Sequence, residues 1–145
     1  MICALFGNSK LFEDVEQILQ QALCALIQEH STVNFYVGTH GDFDSAALRV
    51  LKKLKGQYPF MDYTIILAYL PTKKDALSDS DASHSVFPQI LDSVPLRFAI
   101  DKRNRFMLEQ ADIILTYTRY STGNTAKYKQ LAVKKGKTVI ELFCK

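Results

Sequence analysis

The chain predicts an α/β fold: a single Rossmann-like domain with a mostly parallel, five-stranded sheet and helices on both faces. Three observations predict it. Short apolar runs alternate with segments whose apolar residues recur at helical spacing, the pattern of βαβ units. Four of those runs open into loops crowded with Gly, Asn, Ser, Thr or charge. The length of 145 residues suits about one domain, spanning residues 1–145, with a core that buries ~68–70% of its unfolded surface.

Each element follows from local pattern. Ile2-Cys3-Ala4-Leu5-Phe6-Gly7 is apolar throughout, as a strand covered on both faces must be. Residues 11–30 carry Val15, Ile18, Leu19, Ala22, Leu23, Leu26 and Ile27 at i, i+3, i+4 spacing, an amphipathic helix. Val33–Val37 is the second strand. Asp44 or Ser45 can cap a helix through Lys55, with Gly56 ending it and Pro59 preventing its continuation. Tyr63 to Tyr69 is the third strand.

Residues 71–99 break the rhythm. They are long and polar around Ser78–Ser83; loops of this length in compact domains are functional or disordered, and here the expectation is a partly mobile lid over the strand ends. Asp101 fits the N-cap of a short helix through Gln110. Residues 112–118 form the fourth strand, 125–135 the last helix and 138–143 the fifth strand.

Composition narrows the function classes. Apolar residues at 48% and charged residues at 23% are ordinary for a globular protein. The net charge of +3 permits an anionic ligand, but without a basic stripe no nucleic-acid partner is expected. Lys52–Lys55 and Lys134–Lys137 fall in the last turns of helices, where the dipole favours cations. Cys3, Cys24 and Cys144 show no metal spacing and read as free, buried thiols of a reducing cytoplasm. His30, His40 and His84 share no ligand spacing either, so no metal and no cofactor is expected. No apolar run approaches the ~20 residues of a membrane span, and no signal segment opens the chain. There is no Gly-x-Ser-x-Gly elbow and no phosphate-binding P-loop signature.

The chemistry lies at the strand ends. Gly7-Asn8-Ser9-Lys10 follows the first strand, and Gly38-Thr39-His40-Gly41-Asp42-Phe43-Asp44 follows the second. Glycines let the backbone approach a ligand, and the next helix start offers unpaired N–H groups to a phosphate. Asp42 and Asp44 suit ribose hydroxyls, or cap the helix. Ser121-Thr122-Gly123-Asn124-Thr125 is a second strand-to-helix turn, a phosphate cradle or a capped turn. In Asp101-Lys102-Arg103-Asn104-Arg105, basic groups at a helix start oppose the dipole preference. Arg103 therefore reads as an anion ligand. The plainer alternative is a surface pair, Arg103–Asp101 or Arg105–Glu109.

Taken in order, Phe-Gly7-Asn-Ser, Phe-Tyr-Val-Gly38-x-x-Gly41-x-Phe-Asp44, Leu-Ala68-Tyr69-x-Pro71, Arg103-Asn104-Arg105-Phe-Met107, Ala111-Asp112 and Ser-Thr-Gly123-Asn-Thr125-Ala126 resemble the SLOG (Smf/DprA–LOG) superfamily, specifically its small standalone bacterial and prophage members. The resemblance spans nearly the whole chain. It implies a Rossmann-like fold with a pocket for nucleotides or nucleotide-derived ligands. Within the superfamily, LOG enzymes cleave the N-glycosidic bond of nucleoside monophosphates, DprA-type members bind single-stranded DNA, and others sense nucleotide signals.

Two departures matter. Close members carry Gly-His-Arg after the first strand, where this chain has Gly7-Asn8-Ser9. LOG enzymes also place a Glu just after Gly-Thr in the final loop, where this chain reads Asn124-Thr125-Ala126-Lys127-Tyr128. The oxocarbenium-like state of N-glycoside cleavage then lacks its principal carboxylate. The expectation is a sensor or binding module for a phosphorylated nucleotide. The alternative is a phosphoribohydrolase using Asp44 and Arg103. LOG relatives are typically dimers, which makes Phe87, Leu91 and Leu96 candidate homodimer contacts.

Overall fold

The computed structural model describes residues 1–30, 32–70, 79–118 and 124–142. Its strands are β1 (Ile2–Gly7), β2 (Asn34–Val37), β3 (Asp62–Ile66), β4 (Ser85–Val86), β5 (Ile113–Tyr117) and β6 (Thr138–Glu141). Between them lie α1 (Glu16–Glu29), α2 (Asp42–Gln57), α3 (Asp79–Ser83), a 3₁₀ turn (Gln89–Leu91), α4 (Leu96–Gln110) and α5 (Asn124–Lys134).

All strands run parallel in the order β4-β3-β2-β1-β5-β6. The α/β expectation is met, with one strand more than the five anticipated. The extra strand, β4, is a two-residue edge: Ile65 donates to His84 O at 2.8 Å and Leu67 to Val86 O at 2.9 Å. Nothing in Ser85-Val86 alternates, so a pairing this short leaves no periodic signal.

Strand alternation sorts the core onto both faces. Cys3 and Leu5 of β1 pack with Leu19, Leu23, Phe43, Val50 and Leu54 from α1 and α2. Ala4 and Phe6 pack with Met107, Leu108, Tyr128 and Ala132 from α4 and α5. Both strand faces are therefore buried, as the unbroken apolar run of β1 requires.

Three local expectations are corrected. Helix α2 starts at Asp42 after Gly41, and no side chain caps it. It also runs through Gly56, ending at Gln57. Residues 79–99 are not a structureless loop but carry α3, β4, the 3₁₀ turn and the start of α4; residues 71–78 of the anticipated lid lie outside the described residues. Helix α4 begins at Leu96 rather than at Asp101. Pro95, at φ −57° and extended ψ, lacks the N–H that a first turn leaves unpaired, and it accepts from Phe98 N at 2.9 Å.

Cys3 is buried and free, and burial pushes its thiol up to about 12, so it is inert. Cys24 is free but only half-buried, and Cys144 lies outside the described residues. Among the described residues no helix is long and apolar enough to cross a membrane.

Candidate functional site

From β1 the chain builds outward through β2, β3 and β4, then returns to add β5 and β6 on the other side. That reversal leaves a crevice at the carboxyl ends of β1 and β5, the place where open parallel sheets hold ligands. A cavity of about 420 Å³ opens there, within the size range of small-molecule sites.

Eight of the residues singled out from sequence line it: Gly7, Asn8 and Ser9 after β1, Gly38 after β2, Asp44 of α2, Arg103 and Asn104 of α4, and Thr125 of α5. Thr39 and Gly41 do not line it. Ser121, Thr122 and Gly123 lie outside the described residues, as does the Asn124 side chain. Lys10, Phe12, His40, Ile100, Met107 and Tyr128 also line the cavity. The spacing Ile100, Arg103, Asn104, Met107 is one helix face, a signal that an α4 starting at Asp101 would have concealed.

Two glycines of the wall, Gly7 and Gly38, and the nearby Gly41 do different work. A Cβ on Gly7 would sit 2.0 Å from the Phe43 ring, so this glycine admits the packing of α2 against β1. A Cβ on Gly38 would meet Asp44 Oδ2 at 2.7 Å and the Arg103 guanidinium carbon at 2.8 Å. Gly41, at φ 97°, adopts a conformation that side chains resist, and a Cβ there would press on Ser9 Cα at 2.6 Å. Its turn zips two loops together. Asp42 N donates to Ser9 O at 2.7 Å, and Leu11 N donates to Asp42 Oδ2 at 3.0 Å.

Arg103 dominates the electrostatics. It is 1% exposed, among the largest fully buried side chains, and it sits mid-helix rather than at a helix start. The dipole argument from sequence therefore does not apply, and a stronger one replaces it. Nη1 donates to Ile66 O at 3.1 Å, Nε to Asn104 Oδ1 at 2.8 Å, and Nη2 to His40 Nδ1 at 3.5 Å. Among the described residues, none of its hydrogen-bond partners is a carboxylate. Burial lowers its pKa from the ordinary arginine value, and the charge of Asp44 opposes that.

Asp44 Oδ2 accepts from His40 N at 3.0 Å. Burial nevertheless outweighs this bond and the Arg103 charge, raising the carboxyl to about 6. His40 is shifted the other way, by burial and then by Arg103, and is neutral at pH 7. Its Nδ1 accepts from Arg103, which leaves the proton on Nε2, donated to Tyr69 Oη at 2.7 Å.

On the opposite wall Tyr128 stacks on Phe6, with ring centroids 5.6 Å apart, and donates to Asp101 Oδ1 at 2.6 Å. Burial and that carboxylate push its phenol up to about 12, so it remains protonated. Lys127 does not line the cavity but pairs with Asp101 at 3.2 Å. The basic side chain that follows Ala126 is thus neutralised outside the site. Arg105 also binds Asp101, at 3.0 Å, rather than Glu109.

Of the candidate dimer contacts, Leu91 is buried within the chain and Phe87 packs half-buried on the core, whereas Leu96 is exposed. Among the described residues no group of His, Cys, Asp and Glu is arranged to hold a metal ion.

No family model matches the chain, and no curated protein does. Among solved structures, the X-ray structure of DNA processing protein A (DprA) from Streptococcus pneumoniae matches with a TM-score of 0.64 and 15% sequence identity. The match covers 96% of this chain and 49% of that one, so this chain spans about half the length of that relative. The likeness is one of fold, and that fold is the one the SLOG resemblance implies.

Proposed function

We propose that the protein is a SLOG-type binding module or sensor for a phosphorylated nucleotide or nucleotide-derived ligand, whose anionic group lies against Arg103. One observation carries this reading. A guanidinium is almost fully buried in a cavity wall, and its hydrogen-bond partners among the described residues are all neutral. Burying a cation is costly unless its N–H groups are hydrogen-bonded to anionic acceptors, and here none of the hydrogen-bonded acceptors is one. A phosphate in the cavity supplies such an acceptor and matches the planar fork of the side chain. Asp44, raised to about 6, is mostly ionised near neutrality and acts on Arg103 through its charge, but it makes no hydrogen bond to the guanidinium among the described residues, so part of the fork is left for a ligand. The first turn of α5, through Thr125, adds a helix N-terminus to the same cavity.

The relative's name speaks of DNA processing, yet the net charge here is only +3 and several of the lysines are neutralised by carboxylates. Lys52, Lys127, Lys129 and Lys135 are paired with Asp81, Asp101, Glu141 and Glu109. A small anion in a pocket suits this distribution better than a polyanionic strand. A second reading, N-glycoside hydrolysis, is favoured by Asp44, whose raised pKa lies in the working range of a general acid or base. Release of free adenine from AMP by wild type, abolished in Asp44→Asn, would establish it.

Calorimetric titration with AMP and adenosine tests the binding reading. Wild type should bind AMP the more tightly. Arg103→Lys, which keeps the charge and loses the fork, should weaken AMP by about 10- to 150-fold while changing adenosine little. Equal losses for both ligands in a folded variant would make Arg103 a structural residue. Equal affinity of wild type for both would remove the anion from the reading.

A further inference from the structure

We infer that Phe12 and Ile100 form a base subsite at the mouth of this cavity, holding a flat nucleobase by stacking. The inference rests on the nucleotide-binding reading above and adds to it where the base lies and what holds it.

Phe12 is the anomaly. It lines the cavity while remaining 68% exposed, so its ring contributes little to the core. Its position is nonetheless fixed by its neighbours. Leu11 N is tied to Asp42 Oδ2, Ser9 O accepts from Asp42 N, and Val15 is buried at 2% exposure. The loop is anchored on both sides, and the aromatic ring is presented at the rim. Lys10 Nζ lies over it at 5.8 Å, leaving most of the ring uncovered.

The cavity is graded along α4. Ile100, 38% exposed, lines it one turn before Arg103, which is 1% exposed. Three residues of helix separate the two by ~4.5 Å of rise. An apolar pole therefore stands one turn outward from the cationic one. A ligand with an anion at Arg103 and a flat, weakly polar body toward the mouth satisfies both poles. A 5′-nucleotide has that form, whereas a sugar phosphate satisfies only the inner pole. Stacking on an aromatic face is tolerant of base identity, because every base presents a π-face.

The experiment compares AMP with ribose 5-phosphate by calorimetry in wild type, Phe12→Ala, Phe12→Leu and Phe12→Tyr, each checked for an unchanged melting temperature. Phe12→Ala should weaken AMP by about 5- to 150-fold and ribose 5-phosphate far less. Phe12→Tyr should retain AMP affinity, and Phe12→Leu should lose most of it, since leucine is apolar but cannot stack. Unchanged AMP affinity in Phe12→Ala, or equal losses for both ligands, overturns the base subsite while leaving the anion site at Arg103 intact. Failure of wild type to bind either ligand overturns the nucleotide reading itself.

Discussion

Gly38 governs how near Arg103 and Asp44 come to the end of β2, because a single carbon there would displace both. Burial beside that strand end has an electrostatic consequence at Asp44. Its carboxyl is raised to about 6 from 3.8 because burial penalises the charged form more than Arg103 and His40 N support it. A folded pKa above the unfolded one means that the folded state holds the proton more tightly. The stabilisation is complete below about pH 4 and is lost as pH rises through 6. At ~1.4 kcal/mol per pKa unit the shift corresponds to roughly 3 kcal/mol, which solvent screening at this partly exposed side chain reduces. Urea unfolding of wild type across pH 4 to 7 should therefore show a fall in stability that Asp44→Asn lacks. Parallel profiles for the two proteins would show that Asp44 ionises as an exposed carboxylate does.

Helix α4 carries the site, and Asp101 ties it to α5. Tyr128, Lys127 and Arg105 all converge on that one carboxylate. Burial alone would raise its pKa, but these hydrogen bonds prevail and hold it at about 2. The sign is opposite to that of Asp44: this contribution is present above the ordinary carboxylate range and disappears only as pH falls through 2. Asp101→Ala should cost about 1–2 kcal/mol near neutral pH, since the Tyr128 bond to a carboxylate outweighs the exposed pairs. Tyr128→Phe should reproduce much of that loss in the same denaturation assay. A neutral Asp101→Ala would show that α4 and α5 are joined by packing alone. The same residue explains a misreading of the sequence. Asp followed by a helical pattern is an ordinary N-cap signal, and it outweighed Pro95-Leu96, whose proline starts the helix five residues earlier.

At the scale of the whole molecule, most of the architecture was legible in the sequence. Strands buried on both faces write themselves as unbroken apolar runs, and α1 and α2 declare themselves by periodicity. The strand-end loops announced the wall through Gly38, Asp44 and Ser9. Two parts were hidden for physical reasons. Edge strand β4 is too short to alternate, and the depth of Arg103 is a property of packing that no local spacing encodes. Phe12 carried no sequence signal, because an aromatic near a helix start reads as core until its exposure is seen. The central claim is that a ligand anion completes the hydrogen bonding of buried Arg103, and a crystal structure of the protein grown with AMP tests it most directly. The account predicts phosphate oxygens within about 3 Å of the Arg103 guanidinium, with no movement of α4. A phosphate bound elsewhere, or an Arg103 that turns away from the occupied cavity, would contradict it.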